Sequence, residues 1–397
     1  MKIFKLAVLA AMTLIGNTSY AAALSESVNG FSRAYFATLN HDENIFYSPY
    51  SIAAALSLVA NGATGDTQRE ILSALHADSL ENLNAEFKNF RSTIAENYSG
   101  TNILRDANLI LVNKNFIGNG VNPSFKNSAR NIYGAEIRAA DFAGNLNGEK
   151  KKIAAWIDKK TNHFLPNYQS SANSATVVDL LNVVYFKGTW NFPFDAESTA
   201  DKNFTNRDGS TASVKMMRKT FEREISYAEN DSFKGIEIPY KNSAAAMYVI
   251  LPKSDSNLKI ADKLDAENFI AQIAAAPKFN GEVSVWLPKF ELDIKNNLVD
   301  DLKAIGIERA FSNDAEFFNL VQNVQLKIDS ATHQAKIRVD ESGTEAAAVT
   351  EFTFETTAMP PQYRKFVEFH ADRPFFFVIR DVESGVNLFT GVVNHLD

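Results

Sequence analysis

The 397-residue chain contains no cysteine. Thiol nucleophiles, thiolate zinc sites and disulfides are therefore all excluded. The common catalytic motifs are missing too, since the sequence has no His-Glu-x-x-His, Gly-x-Ser-x-Gly, P-loop or Gly-x-Gly-x-x-Gly after a strand. The six histidines are scattered, with no pair at zinc-ligand spacing. We predict that the chain is not an enzyme and needs no metal or cofactor.

The composition also argues against several classes of partner. The net charge is -7, the sequence pI is about 5.5, and no basic stripe interrupts the mixed surface charge. These values disfavour a general binder of nucleic acid or anionic membranes. With 45% hydrophobic residues and 30 Phe, the chain can be held together by its core alone. No Pro-rich or Gly/Ser-rich linker divides it, so we predict one domain over residues 24–397.

Residues 1–23 are typical of a secretory signal peptide. Lys2 and Lys5 precede an apolar run from Leu6 to Ile15, and small residues follow up to Ala23. The apolar run is too short for the roughly 20 residues that a membrane-spanning helix needs. The mature protein is expected to be exported, either secreted or periplasmic, without a membrane anchor.

The hydrophobic periodicity predicts an α+β chain. Helical patterns cover Ser48–Val59, Gln68–Leu75, Ile153–Phe164, Ala261–Ala275 and Leu298–Ile305. Strand patterns cover Ile103–Val112, Thr176–Phe186, Ser226–Ile238, Ala245–Leu251, Val283–Leu292, Phe375–Arg380 and Val386–Val393. The run Thr176–Phe186 is apolar on both faces, which predicts a strand in the middle of a covered sheet. We expect large antiparallel or mixed sheets.

Residues 343–357 look like a mobile loop, but their side chains alternate as those of a buried strand do. Counting by twos, one face is small or apolar and the other face carries every carboxylate. Gly343 opens the segment, and Pro360 and Pro361 follow it, outside any central strand. Taken alone, the segment also fits an ordinary edge strand or the end of an Ala-rich helix.

Several long motifs, in order along nearly the whole mature chain, resolve this ambiguity. They are Asn44-Ile-Phe-Tyr-Ser-Pro-Tyr-Ser-Ile52, Asn182-Val-Val-Tyr-Phe-Lys-Gly-Thr-Trp190, Leu287-Pro-Lys289, Glu341-Ser-Gly-Thr-Glu-Ala-Ala-Ala348, Arg373-Pro-Phe375 and Phe389-Thr-Gly391. With these motifs the chain resembles the serpin family. The resemblance implies three β-sheets, about nine helices and an exposed reactive-centre loop, here at about residues 341–368. It also implies suicide inhibition, in which a protease attacks the loop, forms an acyl-enzyme and is carried away when the loop inserts into a sheet.

The resemblance assigns roles to particular residues. The hinge of the loop would be Glu341, Gly343, Thr344, Glu345, Ala346, Ala347 and Ala348. The cluster over which the sheet opens would be Ser48, Ser51, Asn182 and His333, with Trp190 under the opening end. Glu341 and Lys289 would form an ion pair at the hinge, which is worth only about 0–1 kcal/mol if exposed.

The scissile bond of the loop is predicted to be Thr357-Ala358. Members of the family commonly have two prolines shortly after the scissile bond, as Pro360 and Pro361 would be here. Counting residues along the loop from Gly343 leads to the same bond. The stretch from Gln362 to Glu368 is longer than in familiar members, which leaves Arg364 as a second candidate. Thr357 suits the modest apolar pocket of elastase-like or subtilisin-like serine proteases, and papain-like cysteine proteases are candidate targets as well.

Two other functions remain open at this stage. Non-inhibitory serpins, which act as carriers, chaperones or decoys, typically carry bulky or charged residues in the hinge, where this chain has Thr344 and three alanines. An exported enzyme on the same fold is disfavoured because no nucleophile, base and orienting group can be named. The expected partner is therefore a target endopeptidase, held covalently by a monomeric inhibitor.

Overall fold

The computed structural model describes residues 23–98, 100, 102–116, 120–253, 266–322, 324–344 and 365–397. The predicted signal peptide, apart from residue 23, and most of the predicted reactive-centre loop lie outside these ranges. Within them no helix is both long and apolar enough to cross a membrane.

The described residues contain eight α-helices, against about nine expected. They are α1 (23–36), α2 (Pro49–Gly62), α3 (Gly65–Ala74), α4 (Leu80–Asn97), α5 (Pro123–Asn131), α6 (Phe142–Lys160), α7 (Ala266–Ala275) and α8 (Val299–Ala304). Helix α2 is buried along almost its entire length and lies at the centre of the molecule. Its start is fixed locally, because Ser48 caps it by accepting a hydrogen bond from Ser51 N and Pro49 supplies a preset helical φ at the first position.

Sixteen strands form three sheets in the described residues, as the resemblance implied. The main sheet has the order β11 (Phe290–Asn297), β12 (Ser330–Asp340), β13 (Gly343–Thr344), β4 (Val178–Thr189), β2 (Ile103–Asn113), β3 (Glu136–Ala140). The second sheet has the order β1 (Ile45–Tyr47), β16 (Asn387–Val393), β15 (Phe375–Asp381), β9 (Ala245–Pro252), β8 (Phe233–Pro239), β7 (Ser226–Glu229). The third sheet has the order β14 (Lys365–His370), β10 (Gly281–Pro288), β6 (Thr211–Glu222), β5 (Ala200–Thr205).

Two long strand predictions each correspond to two strands. Ser226–Ile238 is interrupted because the Asn230 side chain accepts hydrogen bonds from Ser232 N and Phe233 N, which turns the chain between β7 and β8. Val283–Leu292 is divided after Pro288, so that β10 belongs to the third sheet and β11 to the main sheet. An apolar pattern reports burial on a face, but not the sheet to which that face belongs.

The boundaries of the predicted loop also need correction. Residues 365–368, which we placed at the end of the loop, begin strand β14, whose residues 365–370 pair in parallel with β10. At the other end, Gly343 and Thr344 form the short strand β13 within the main sheet. Backbone pairing with the neighbouring strands overrides the loop assignment at both ends.

The core lies on both faces of the main sheet. The larger hydrophobic cluster fills the space between this sheet, helix α2 and the second sheet. A smaller cluster lies on the opposite face, under helix α6. Strand β4 is buried on both faces because Val178, Leu180, Val184 and Phe186 join the first cluster and Leu181 and Val183 join the second. This central strand positions the site described next.

Candidate functional site

Strands β4 and β12 of the main sheet are paired at only one end. They run parallel, and direct pairing extends from Ser330 opposite Asp179 to Gln334 opposite Val183. No backbone pairing joins the next four positions, residues 184–187 of β4 and 335–338 of β12. Beyond them, β13 lies between the two strands and pairs antiparallel with both. The sheet is therefore closed at one end, parted in the middle and already occupied by β13 at the other end.

The hinge residue Thr344 is buried inside this sheet. Its exposed fraction is 2%, and it pairs with Gly188 of β4 and Val339 of β12. Its hydroxyl lies 2.6 Å from the Tyr240 hydroxyl, which comes from beneath the sheet. Complete burial raises the pKa of Tyr240 far above its ordinary value, so this phenol stays protonated. A buried hydrogen bond between two hydroxyls thus holds the start of the loop in place.

Gly343 has no room for a side chain. Its φ is +154°, and a Cβ would overlap the carbonyl oxygen of Gly188 and lie 2.9 Å from Cα of Thr189. The backbones of β13 and β4 approach each other so closely that only glycine fits at this position.

Trp190 lies at the same end of the sheet. Its side chain is fully buried and stacks on Tyr240 with ring centroids 4.5 Å apart and an interplanar angle of 13°. Its indole Nε1 donates to the Asp340 carbonyl at 2.9 Å, and its backbone N donates to the Ser342 carbonyl at 2.9 Å. Trp190 therefore fixes the turn that leads from β12 into β13.

The predicted hinge ion pair is present. Lys289 Nζ lies 2.8 Å from Glu341 Oε2, and the Thr199 hydroxyl donates to Glu341 Oε1 at 2.7 Å. Burial works to raise the pKa of the Glu341 carboxyl, but the hydrogen bonds from Lys289 and Thr199 hold it below its ordinary value. The Lys289 side chain is 40% exposed, so we expect the pair to contribute little to stability.

The predicted polar cluster is assembled where β4 and β12 are directly paired. Asn182 and His333 are opposite each other in the register, and His333 Nδ1 lies 3.2 Å from Asn182 Oδ1. The Ser51 hydroxyl donates to the same oxygen at 2.6 Å, and the Ser48 hydroxyl donates to the Leu388 carbonyl at 2.6 Å. The structure thus connects helix α2 to the pair of strands that would have to separate.

The hydrogen bonds of His333 define its protonation state. Ser48 N donates to His333 Nε2 at 3.0 Å, so Nε2 must be unprotonated and Nδ1 carries the proton that is donated to Asn182. Burial lowers the pKa of His333 to about 3, in agreement with a neutral ring. The cluster is therefore uncharged at neutral pH.

Three residues that sequence reasoning missed belong to this region. Asn108 of β2 accepts a hydrogen bond from Asn182 Nδ2 at 2.9 Å and extends the polar row to a third strand. Its position directly before the apolar run Leu109–Val112 was a usable signal, since a buried amide needs a partner. Tyr240 gave no signal, because an aromatic residue in a strand-rich segment is most often part of the core.

The third missed residue, Asp179, lies at the closed end of β4. It is 1% exposed, and its Oδ2 atom has no hydrogen-bond partner among the described residues. Burial raises the pKa of its carboxyl to about 7, although the charges of Lys295 and Lys150 act in the opposite direction. Lys295 Nζ lies 4.9 Å from the ring centroid of Tyr168. The directly paired part of β4 and β12 therefore contains one buried carboxyl group that is costly to ionise.

The remaining predicted residues of the site cannot be placed. Glu345, Ala346, Ala347 and Ala348 of the hinge and the predicted scissile bond Thr357-Ala358 lie outside the described residues. The roles assigned to them remain predictions.

The main sheet is thus closed at one end and holds the short strand β13 between β4 and β12 at the other. The family model described as "Serpin (serine protease inhibitor)" matches residues 26–396. The chain belongs to the serpin family.

Similar proteins support this membership over nearly the full length. Human neuroserpin is 31% identical over 99% of this chain and 95% of its own length, and pig leukocyte elastase inhibitor is 30% identical over 93% and 98%. Among solved structures, the native state of the thermophilic serpin tengpin has a TM-score of 0.82 at 26% identity, covering 95% of this chain and 94% of that one.

Proposed function

We propose that this protein inhibits serine endopeptidases as a suicide substrate whose cleaved loop inserts between β4 and β12. The observation that carries the proposal is the burial of Thr344 in β13, because the strand that insertion would extend has already begun. The family relationship and the similarity to leukocyte elastase inhibitor support an inhibitory function. Papain-like cysteine proteases are additional candidate targets.

The register of β13 predicts how insertion would proceed. If the pairing of Thr344 with Gly188 and Val339 continues antiparallel, residues 345–348 would occupy the four unpaired positions. The Glu-Ala-Ala-Ala sequence of these residues is small on the face that would enter the core. This first stage breaks none of the direct pairing between β4 and β12.

Residues 349–353 would then insert between the five directly paired positions of β4 and β12 and replace the pairing between these two strands. In this register Thr350 would come between Asn182 and His333, where its hydroxyl would take over the hydrogen bonding of the separated pair. One parallel ladder would be lost and two antiparallel ladders gained, with each net backbone hydrogen bond worth about 0.5–1.5 kcal/mol. Insertion would therefore be favoured once the cluster has opened.

The same register favours Thr357 over Arg364 as the residue attacked. Thr357 would lie level with residue 175, just beyond Val178 at the start of β4, so the attached protease would be held close against the end of the sheet. Arg364 would add seven more residues, or about 25 Å of extended chain, between the strand and the protease. That slack would leave the protease free to complete its reaction.

The chemistry is that of an interrupted acyl transfer. The serine hydroxyl of the protease attacks the carbonyl carbon of Thr357, an ester bond forms, and the amine of Ala358 leaves with a proton from the protease's general acid. Insertion would carry the ester to the far end of the sheet before water can hydrolyse it. The signal-peptide pattern of residues 1–23 also leads us to propose that the protein is exported. We further propose that it acts as a monomer.

The test is to incubate the mature protein with pancreatic elastase, subtilisin, trypsin and a papain-like protease, then run denaturing gels and sequence the released fragment. A covalent complex that survives boiling, with a fragment beginning at Ala358, is the expected result. A fragment beginning at Lys365 would move the scissile bond to Arg364. Cleavage without a complex across the whole panel would overturn the proposal in favour of a non-inhibitory carrier or decoy.

A further inference from the structure

An open groove of about 570 Å³ lies on the third sheet, away from the site described above. Its volume is in the range of sites that hold small organic molecules. Trp286 of β10 contributes apolar surface, the almost fully buried Met216 of β6 lies behind it in the lining, and Lys202, Asn203 and His370 are among the polar lining residues. Trp286 is directly opposite His370 of β14 and Arg218 of β6 in the register, so three strands converge on one indole.

The two cations nearest this indole have no carboxylate partner among the described residues. Lys202 Nζ lies 5.6 Å and Arg218 Cζ lies 5.0 Å from the Trp286 ring centroid, and neither forms an ion pair within the parts of the chain that are described. Both contacts are of the cation–π kind, which leaves the N–H groups of the cations able to bind an anion.

The carboxylates of the groove are neutralised by other cations. Asp201 is paired with Lys215 at 2.9 Å, and Asp372 is paired with Arg373 at 2.6 Å. His370 also lines the groove, but its Nε2 is shielded from solvent. This atom has no hydrogen-bond partner in the described residues, since Glu368 Oε1 lies 3.8 Å away, too far for a hydrogen bond. The charge that remains unbalanced in the groove is therefore positive.

We propose that this groove binds a small organic anion, in which a carboxylate, sulfate or sulfonate group is attached to a flat apolar body. Lys202, which lines the groove, and Arg218, which lies beside it at the same indole, bind the anionic group, and Asn203 is a further hydrogen-bonding group in the lining. The apolar body packs against the part of the partly exposed Trp286 indole that the two cations leave uncovered. This site is separate from the loop-insertion machinery and does not depend on the proposed inhibitory function.

The tryptophan content of the chain gives a selective signal for the test. The chain has three tryptophans, of which Trp156 and Trp190 are 8% and 0% exposed, whereas Trp286 is partly exposed. The probe is para-nitrobenzoate, a flat carboxylate that quenches indole fluorescence, and its neutral analogue para-nitrobenzamide is the matched control ligand. We expect saturable quenching by the carboxylate, weakening as salt is added, and only weak, non-saturating quenching by the amide.

Three single variants and one double variant complete the experiment. Lys202→Ala and Arg218→Ala should each weaken binding by about tenfold or more, the usual effect of losing one charge-assisted hydrogen bond. Lys219→Ala should leave binding unchanged, because Lys219 Nζ lies over the Phe221 ring and not over Trp286. Calorimetry with the same probe checks the affinities independently of fluorescence.

Equal, non-saturating quenching by both probes would overturn the proposal, as would a wild-type affinity in the Lys202→Ala, Arg218→Ala double variant. Circular dichroism of each variant confirms that it is folded before its affinity is compared.

Discussion

The hydroxyl groups of Tyr240 and Thr344 meet 2.6 Å apart beneath the main sheet, in the uncleaved chain. Tyr240 is held in position by stacking on Trp190, and Thr344 by pairing with strands on either side. Strand insertion, as proposed above, would therefore begin from a strand that is already in place. Its remaining steps would depend on the five directly paired positions between β4 and β12.

The coupling between Tyr240 and Thr344 can be measured with a double-mutant cycle. Tyr240→Phe and Thr344→Val each remove one hydroxyl while keeping nearly the same shape, and each leaves the other hydroxyl buried without its partner. Each single variant should lower the free energy of unfolding by about 1–3 kcal/mol in urea titrations. The double variant should cost clearly less than the sum of the two. Strict additivity would show that the hydrogen bond contributes nothing.

A charge at position 344 should separate cleavage from inhibition. Thr344→Arg would place a guanidinium in a position that is 2% exposed, so β13 should leave the sheet and insertion should stall. The variant should still be cleaved by a protease that the wild type inhibits, but the covalent complex should fall by at least about tenfold on denaturing gels. Thr344→Ser keeps the hydroxyl and is the matched control, which should retain the complex. Undiminished complex with the arginine variant would contradict the insertion mechanism.

A methyl group at position 343 should act on the same step through the backbone. In Gly343→Ala the new Cβ meets the carbonyl of Gly188, which cannot move without disturbing β4, and the positive φ adds strain. We expect a loss of about 1–3 kcal/mol in the free energy of unfolding, together with increased proteolysis at the hinge. Gly209→Ala is a useful control, because that glycine also has a positive φ but nothing lies within 4 Å of its added Cβ. Equal losses in the two variants would assign the effect to φ alone.

Sequence patterns predicted what depends on local periodicity. The apolar run at Thr176–Phe186 is strand β4, and the Ser-Pro start at Ser48 begins helix α2. The pairing of strands within the sheets could not be predicted from local patterns. Nothing in the neighbouring sequence shows whether Pro288 ends a strand of one sheet or lies inside a longer strand. The same applies to Tyr240, whose role depends on contacts with Trp190 and Thr344 that are distant in sequence.

The residues of the polar cluster illustrate the same division. Ser48, Ser51, Asn182 and His333 were grouped by the family resemblance, and the structure adds the hydrogen bonds that fix the tautomer of His333. The burial of Asp179 could not be predicted from the sequence. A single acidic residue in an apolar run does not show on which face of the sheet its side chain lies, or whether a hydrogen-bond partner is present on that face.

Neutral His333 should make the protein sensitive to acid. Its folded-state pKa of about 3 is below the ordinary value of 6.5, so between these values the unfolded chain binds a proton that the native state does not. The stability linked to this residue is complete above about pH 6.5 and is lost toward pH 3, at up to about 1.4 kcal/mol per pH unit.

His333→Gln should remove this part of the pH dependence. The variant should be less stable than the wild type near neutral pH, and the difference should shrink as the pH falls, as measured by urea unfolding across the range. His163→Gln changes a histidine whose side chain is 78% exposed and serves as the control. A difference that stays constant with pH would mean that His333 does not titrate in this way.

Asp179 should act in the opposite direction, which allows the two residues to be distinguished. Its folded-state pKa of about 7 is above the ordinary 3.8, so the native state holds a proton that the unfolded chain has released. The linked stability is therefore complete below about pH 3.8 and is lost as the pH rises through 7. Asp179→Asn cannot ionise, so it should gain stability over the wild type as the pH rises and reach a plateau of up to about 4 kcal/mol above pH 7. Asp231→Asn, at an exposed turn residue, should show no such rise in urea unfolding measured at the same pH values. If Asp179→Asn were instead least stable at high pH, the Asp179 carboxylate would have to be an ionised group that stabilises the closed end of the sheet. Separating β4 from β12 would then break a favourable interaction of that carboxylate instead of relieving the cost of its burial.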